Sequence, residues 1–143
     1  VTGLNFSFNN FSFKEGKTID LTGWSRSVEG VSIINGSGYF VVEHDFATSP
    51  LNSGSSVFYN LILSGAVVTS LSISAASLNG SSIDIGVETD NESAVSLPTA
   101  LLNGTNTNAD VYIVATANRS LSIKANGGNI TAGTITIKVE FEI

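Results

Sequence analysis

The 143-residue sequence has no cysteine, no methionine and no glutamine, and only 13 % of its residues are charged. Without cysteine there is no disulfide, no zinc–thiolate site and no cysteine nucleophile. No apolar run comes near the roughly 18 residues that a membrane-spanning helix needs. The formal charge of −6 argues against nucleic acid as a partner, because phosphate binding requires a basic face. We therefore expect neither a nucleic-acid partner nor direct membrane insertion.

Small polar residues take the place of the missing charges, with 21 Ser, 13 Thr, 14 Asn and 14 Gly. Apolar residues still make up 42 %, so the chain has enough apolar surface to fold, and its length fits one domain. The sequence starts at Val1, so either an initiator methionine was trimmed or a precursor was cleaved. We expect the second, removal of a signal peptide, which implies export.

Apolar and polar residues alternate with a period of two, which is typical of strands with one buried face. The longest alternation covers residues 134–143, and shorter ones cover 67–74, 83–88 and 120–125. Three segments are apolar at both parities and are predicted to lie centrally in a sheet or to be covered on both faces. They are 38–43, 57–63 and 111–116.

Short strands near Thr18–Leu21 and Val31–Ile34 bring the predicted total to about ten, counted from period-two runs. We expect at most one helical turn in Ala94–Leu102, inside a long loop over 89–109. Many short strands separated by Asn-Gly, Ser-Gly and Gly-Gly turns predict an all-β protein. The fold class is an immunoglobulin-like or jelly-roll β-sandwich.

Four of the eight phenylalanines lie within residues 6–13. The apolar parity changes at Asn9-Asn10, which predicts a bulge or a crossing between sheets. Left unpaired, such a segment would template aggregation, so it is inserted either in its own sandwich or in the groove of a neighbouring subunit. The inserted side chains would be Leu4, Phe6, Phe8, Phe11 and Phe13.

We divide the chain into an N-terminal donor strand (1–13), a polar joint (14–17) and a sandwich domain (18–143). The glycosylation pattern Asn-x-Ser/Thr occurs eight times, whereas composition alone predicts about three matches. The acceptors are Asn5, Asn10, Asn35, Asn79, Asn91, Asn103, Asn118 and Asn129. All lie in predicted turns, in the long loop or on the N-terminal strand, where a sugar stays in water. We predict N-linked glycans and no other cofactor, although the same residues crowd into turns without glycosylation.

No catalytic or metal-binding constellation is predicted. His44, the sole histidine, lies between Glu43 and Asp45, and we interpret the three as a surface cluster at a strand end. Oxygen ligands for calcium occur at Asp84, Glu88, Asp90, Asn91 and Glu92. Their spacing is not that of a calcium loop, which favours a solvated loop.

Trp24 with Tyr39 or Tyr59 would give a sugar-binding platform, but a lone Trp in a sandwich is more often part of the core. Acid tolerance is expected as well. With 12 Asp plus Glu and 6 Lys plus Arg, the chain has little ion pairing to lose when carboxylates are protonated.

The Phe-rich strand 1–13, the joint, the sandwich, the glycosylation patterns and the processed start together resemble the thread filament subunit of the archaeon Sulfolobus. That family is similar to bacterial type-1 pilins. The resemblance implies a noncatalytic, glycosylated homopolymer at the cell surface, joined head to tail by donor-strand complementation and serving adhesion or biofilm formation. The C-terminal strand 134–143 is an alternative donor.

A second resemblance lies in residues 121–143, which are similar to C-terminal strand pairs of small tailed-phage virion proteins. This alternative implies a capsid decoration or cement protein, or a fibre head, without glycans. A carbohydrate-binding module is a third alternative and requires an exposed aromatic platform. Of these, we predict the extracellular filament subunit.

Overall fold

The computed structural model describes residues 4–7, 10–13, 25–28, 31–34 and 37–143, with side chains from residue 37 onward apart from 60–61. No helix in these ranges is long and apolar enough to cross a membrane. The described elements are β1 (Leu4–Ser7), β2 (Asn10–Phe13), β3 (Ser25–Val28), β4 (Val31–Ile34), β5 (Ser37–Asp45), β6 (Ser56–Ile62), β7 (Val67–Ala76), β8 (Ser82–Val87), β9 (Asn91–Pro98), α1 (Thr99–Leu102), β10 (Asn106–Val114), β11 (Arg119–Asn126) and β12 (Thr134–Glu142).

Strands β5 to β12 form two facing antiparallel sheets. One has the order β10-β7-β12-β5 and continues through β4 and β3, and the other has the order β6-β11-β8-β9. The pairs are nested, so that β5 pairs with β12, β6 with β11, β7 with β10 and β8 with β9. A long hairpin folded over in this way is a jelly roll. Of the two predicted sandwich types, the jelly roll is the one that forms.

The predicted period-two alternation is confirmed most clearly in β12. Its apolar side chains, from Ile135 to Phe141, are buried, while Thr134, Lys138 and Glu142 lie on the outer face. Its backbone pairs with β5 on one edge and with β7 on the other. Because both edges are occupied within its own chain, the C-terminal strand is not a free donor, and that alternative is wrong.

Two of the three segments predicted to be central lie at sheet edges instead. Segment 38–43 is inside a sheet as β5, but 57–63 forms the edge strand β6 and 111–116 belongs to the edge strand β10. One parity of each faces the core, whereas Phe58 remains 45 % exposed and Tyr112 78 % exposed on the other. Apolar residues at both parities therefore mark exposed apolar edges in these two segments rather than burial on both faces.

The predicted long loop 89–109 contains two strands. The single helical turn is confirmed as α1, but β9 precedes it and β10 follows it. Strand β9 is irregular, since its register with β8 shifts between Ile85 and Val87. A Cβ built on Gly86 would lie 1.9 Å from the Asn91 carbonyl oxygen, so only glycine allows β9 to cross at that point.

The N-terminal strands β1 and β2 pair with each other in a two-stranded sheet. Their register places Leu4 opposite Phe13 and Phe6 opposite Phe11, so the parity change at Asn9-Asn10 separates two paired strands, and the predicted bulge or crossing between sheets is wrong. The donor role of this segment stays a prediction. Val31–Ile34 is confirmed as β4. Phe8, the joint 14–17, Thr18–Leu21 and Trp24 lie outside the described residues.

Candidate functional site

Asparagines of the glycosylation pattern fasten the loops at one end of the sandwich to one another. In the β11–β12 loop, Asn129 Oδ1 accepts a hydrogen bond from the Ser53 N–H of the β5–β6 loop at 2.8 Å. In the β7–β8 loop, Asn79 Oδ1 accepts one from the Thr131 N–H of the β11–β12 loop, also at 2.8 Å. Each bond joins loops that are distant in sequence, so these side chains stabilise the tertiary structure.

Asn103, which follows α1, completes this series. Its Oδ1 accepts from the Leu78 N–H at 2.8 Å, and its Nδ2 donates to the Leu78 carbonyl oxygen at 2.9 Å. The two bonds tie the end of α1 to the β7–β8 loop. The three asparagines thus connect four of the described loops at this end, and we call Asn79, Asn103 and Asn129 the asparagine clamps.

The opposite end of the sandwich is fastened in a similar way. Asn118 Oδ1 accepts from the Ser64 N–H at 2.9 Å, which joins the β10–β11 and β6–β7 loops. The Asp90 carboxylate of the β8–β9 turn receives Arg119 Nε at 2.8 Å and the Thr116 hydroxyl at 2.7 Å. The hydrogen bonds from Arg119 and then Thr116 lower the pKa of Asp90 below its ordinary 3.8.

These bonds supply a structural reason for asparagine at four of the eight predicted glycosylation positions. Nδ2 is the atom that would carry a glycan, and in Asn79 and Asn103 it already donates to Thr131 Oγ1 and to the Leu78 carbonyl oxygen. Asn91 is exposed at the start of β9. The side chains of Asn5 and Asn10, and all of Asn35, lie outside the described residues. Glycosylation itself stays a prediction.

His44 is part of the core, and its interpretation as a member of a surface cluster is wrong. Only 5 % of it is exposed, because it shares the inner face of β5 with Phe40, whereas Glu43 and Asp45 point outward. Nε2 lies 2.8 Å from the Ser49 carbonyl oxygen and must donate to it. In the neutral ring Nδ1 then accepts the Tyr59 hydroxyl proton across 2.7 Å.

The His44–Tyr59 hydrogen bond joins the two sheets, since His44 belongs to β5 and Tyr59 to β6. The His44 ring also packs edge-on against Phe46, with ring centroids 4.6 Å apart. Burial raises the pKa of the Tyr59 hydroxyl above its ordinary 10.0. Through its hydrogen bond to Tyr59, His44 fixes the position of β5 relative to β6.

The acidic residues considered for calcium do not converge. Asp84 is buried and accepts hydrogen bonds from the Ser96 hydroxyl at 2.6 Å and from Asn126 Nδ2 at 3.3 Å. Asp90 is engaged by Arg119, and Glu92 accepts from the Thr89 N–H. Within the described residues no three His, Cys, Asp or Glu side chains group as metal ligands.

Tyr39 and Tyr59 do not form a shared aromatic platform. Tyr39 lies on the outer face of β5, where Lys138 Nζ is 4.6 Å from its ring centroid, whereas Tyr59 points inward to His44. Trp24 lies outside the described residues, so the platform that would pair it with either tyrosine is not tested.

The surface feature that the sequence prediction missed is the edge of β6. By the β6 edge we mean the outward backbone of Ser56–Ile62 together with the exposed ring of Phe58. The strand contains no charged residue and no proline. Such an edge presents free N–H and C=O groups beside an apolar ring, which suits the addition of another strand.

The topology defines an all-β jelly roll, and known structures with the same fold were found. No protein-family profile and no curated protein matches the sequence. A chain from the acid-stable capsid of Helicobacter pylori bacteriophage KHP30 superposes with a TM-score of 0.51 at 21 % identity, covering 75 % of this chain and 87 % of that one. A chain from the capsid asymmetric unit of cyanophage Pam1 gives 0.52 at 15 %, covering 75 % and 83 %.

At these identities the likeness establishes a shared fold and nothing further. Both neighbours are only slightly shorter than this chain, since the aligned part is most of each. They are chains from phage capsids, so the resemblance to the archaeal thread subunit finds no support in them.

Proposed function

We propose that this chain is a noncatalytic structural protein of a virion, assembled with identical or related subunits in or on a capsid. The observation that carries the proposal is the jelly-roll fold of β5 to β12, together with the superposition of three quarters of this chain on each of two phage capsid chains. The virion would be its location outside the cell. This proposal replaces the pilus or thread filament as the preferred function.

The loop bonds suit a particle component. A capsid protein must keep its shape outside the cell, without chaperones. In this chain the asparagine clamps help to do so, because they connect four described loops at one end of the sandwich. Asn118 and Asp90 do the same at the other end. Loops that are already held by side-chain hydrogen bonds lose little conformational entropy when a neighbouring subunit binds. Such rigid loops are therefore suited to contacts between subunits.

The surface chemistry also agrees with a role without catalysis. The outer face of the larger sheet carries small hydroxyl and amide side chains, for example Ser72, which donates to Asn108 Oδ1 at 2.7 Å. The titratable side chains described above are paired in structural bonds: His44 with Tyr59, Asp90 with Arg119 and Asp84 with Ser96. Because these groups are taken up by structural bonds, we infer that the surface serves contact between subunits.

Immunogold labelling of cultures that produce the protein tests the proposal. An antiserum raised against the recombinant chain should label icosahedral heads, and the chain should sediment with those particles. Its intact mass measured from the particles should equal that of the polypeptide. Labelling of thin cell-surface filaments, with a mass increased by sugar residues, would overturn the proposal and return the thread filament to first place.

A further inference from the structure

The two sheets of the sandwich have unequal numbers of strands. The hydrogen bond between His44 and Tyr59 places β5 opposite β6, so that four strands of each sheet face one another. Beyond β5 the larger sheet continues through β4 and β3, whereas the smaller sheet ends at β6. Among the described strands only β11 pairs with β6. The smaller sheet is therefore two strands short, on the side of the β6 edge.

The other sheet edges in the described sandwich carry features that discourage pairing. In the smaller sheet, β9 has Glu92, Pro98 and an irregular register. In the larger sheet, β10 has Asp110 and a register shift just after it, and the opposite edge strand β3 has Arg26. Charges, proline and bulges are the usual means of blocking strand addition. The β6 edge has neither charge nor proline, so it is the edge most open to a further strand.

The β1–β2 hairpin matches this vacancy in strand number and in charge. It contributes two strands, and in this chain they form a sheet with each other alone. A lone two-stranded hairpin is marginally stable at best. Residues 1–13 carry no charged side chain, so contact with the uncharged β6 edge avoids the repulsion expected between two chains of formal charge −6.

We propose that the β1–β2 hairpin of one copy adds to the β6 edge of a second copy and completes a six-stranded sheet opposite β3 and β4. We commit to a second copy because, in a single chain, the hairpin and β6 lie in separate sheets. The link over residues 14–24 can span at most about 36–40 Å, which is enough to reach an adjacent molecule. Aromatic residues of the hairpin would then lie across from Phe58. The proposal does not depend on the virion function, since it concerns only contact between copies.

Light scattering coupled to size-exclusion chromatography tests the association. We expect the wild-type chain to be multimeric, and Phe58→Glu to weaken association at least tenfold, because a carboxylate would face an uncharged hairpin. The matched control Tyr112→Glu introduces the same charge on the edge strand of the other sheet and should leave association unchanged. Deletion of residues 1–13 should also give a monomer. A monomeric wild type, or equal association of the two Glu variants, would overturn the proposal.

Disulfide trapping distinguishes a second copy from the same chain and requires no deletion. The native chain has no cysteine, so a Leu4→Cys chain and a tagged Ser56→Cys chain, which share the strand parity of Phe6 and Phe58 and keep every aromatic ring, can be mixed and oxidised without background. Mixed dimers carrying one chain of each kind are the expected product. A chain that carries both cysteines provides the opposite test. If it closes a disulfide within one chain, and the mixture of single-cysteine chains gives no mixed dimers, the hairpin binds its own sandwich and the proposal is wrong. Failure of the virion labelling would leave both results intact.

Discussion

At the residue scale, asparagines do work that charged residues do in many other proteins. The side chain of Asn103 offers one acceptor and one donor group, and it places each against the backbone of Leu78. A charged side chain would serve only one of these partners, because a carboxylate can only accept hydrogen bonds and an ammonium or guanidinium group can only donate them. In a chain with 13 % charged residues, such neutral bonds hold the loops.

Replacing Asn103 by Asp should destabilise the fold. The substitution turns the Nδ2 donor into a carboxylate oxygen that faces the Leu78 carbonyl oxygen, so a hydrogen bond is lost and two acceptors are left in contact. We expect a loss of about 1–3 kcal/mol in the free energy of unfolding. Urea unfolding measures it. Asn91→Asp is the matched control, because Asn91 is exposed, and its midpoint should stay within error; equal midpoints for both variants would refute the clamp.

A second residue-scale prediction concerns the bond between the sheets. Tyr59→Phe removes the hydroxyl that donates to His44 Nδ1 and leaves a buried acceptor without its partner. The expected loss is about 1–3 kcal/mol, seen as a lower midpoint of thermal unfolding. Tyr39→Phe removes the same hydroxyl from the outer face of β5 and should change the midpoint little. A larger effect at Tyr39 would contradict the assignment.

At the element scale, the close crossing of β9 over Gly86 predicts strong sensitivity to one methyl group. A Cβ at this position would lie 1.9 Å from the Asn91 carbonyl oxygen and 2.7 Å from the Glu92 carbonyl carbon, both backbone atoms that cannot rotate away. Gly86→Ala should therefore lower the free energy of unfolding by about 1–3 kcal/mol, the range that overpacking typically costs.

Gly128→Ala provides the control for this glycine. Its Cβ would have its nearest neighbour at 3.4 Å, which is tolerable contact. Hydrogen exchange of the β9 amides should accelerate in Gly86→Ala and not in Gly128→Ala. Unchanged exchange of β9 in both variants would mean that the strand does not depend on its crossing.

The sequence pattern predicted the elements unevenly, for physical reasons. Alternation predicted β12, because burial of one face imposes the period directly. It missed β9, since a shifted register interrupts the alternation. It placed β6 and β10 centrally, because the pattern records which side chains are apolar and not whether another strand covers them.

The residues of the candidate site were harder to predict than the strands. The eight Asn-x-Ser/Thr patterns are visible in the sequence. The hydrogen-bond partners of Asn79, Asn103 and Asn129 are not, because they lie in other loops and depend on the nested topology. His44 was misplaced because its charged neighbours suggested a surface position, whereas the parity of β5 turns it inward. Long-range contacts of this kind leave no local mark in a sequence.

At the scale of the whole molecule, few groups make stability depend on acid. The N–H of Ala47 and then the hydroxyl of Thr48 hold the pKa of Asp45 below its ordinary 3.8, and Arg119 does the same for Asp90. A carboxyl with a lowered pKa in the folded state takes up its proton first in the unfolded state. Its contribution is present above pH 3.8 and is lost as the pH falls through the lower folded value.

We therefore expect these two carboxyls to leave stability unchanged between pH 7 and 5 and to lower it only below about pH 4, where they become protonated. Full protonation leaves about +7 charges on 143 residues, a modest repulsion for a domain of this size. Urea midpoints at pH 7, 5, 3 and 2, followed by the β-sheet circular dichroism signal, measure the profile. A profile that stays flat between pH 5 and 2 would contradict it, because both carboxyls take up their protons in that range.

The variant Asp90→Asn makes this pH argument specific. Asn cannot be protonated, so the stability difference between wild type and variant should be largest at pH 7 and should shrink as the pH falls below 3.8 through the lower folded pKa of Asp90. Asp110→Asn is the control, because Asp110 is exposed and makes no hydrogen bond with its side chain in the described part of the chain. Its difference from wild type should stay small at every pH. A difference for Asp90→Asn that persists unchanged at pH 2 would mean that Asp90 stabilises the β8–β9 turn by packing rather than through its charge.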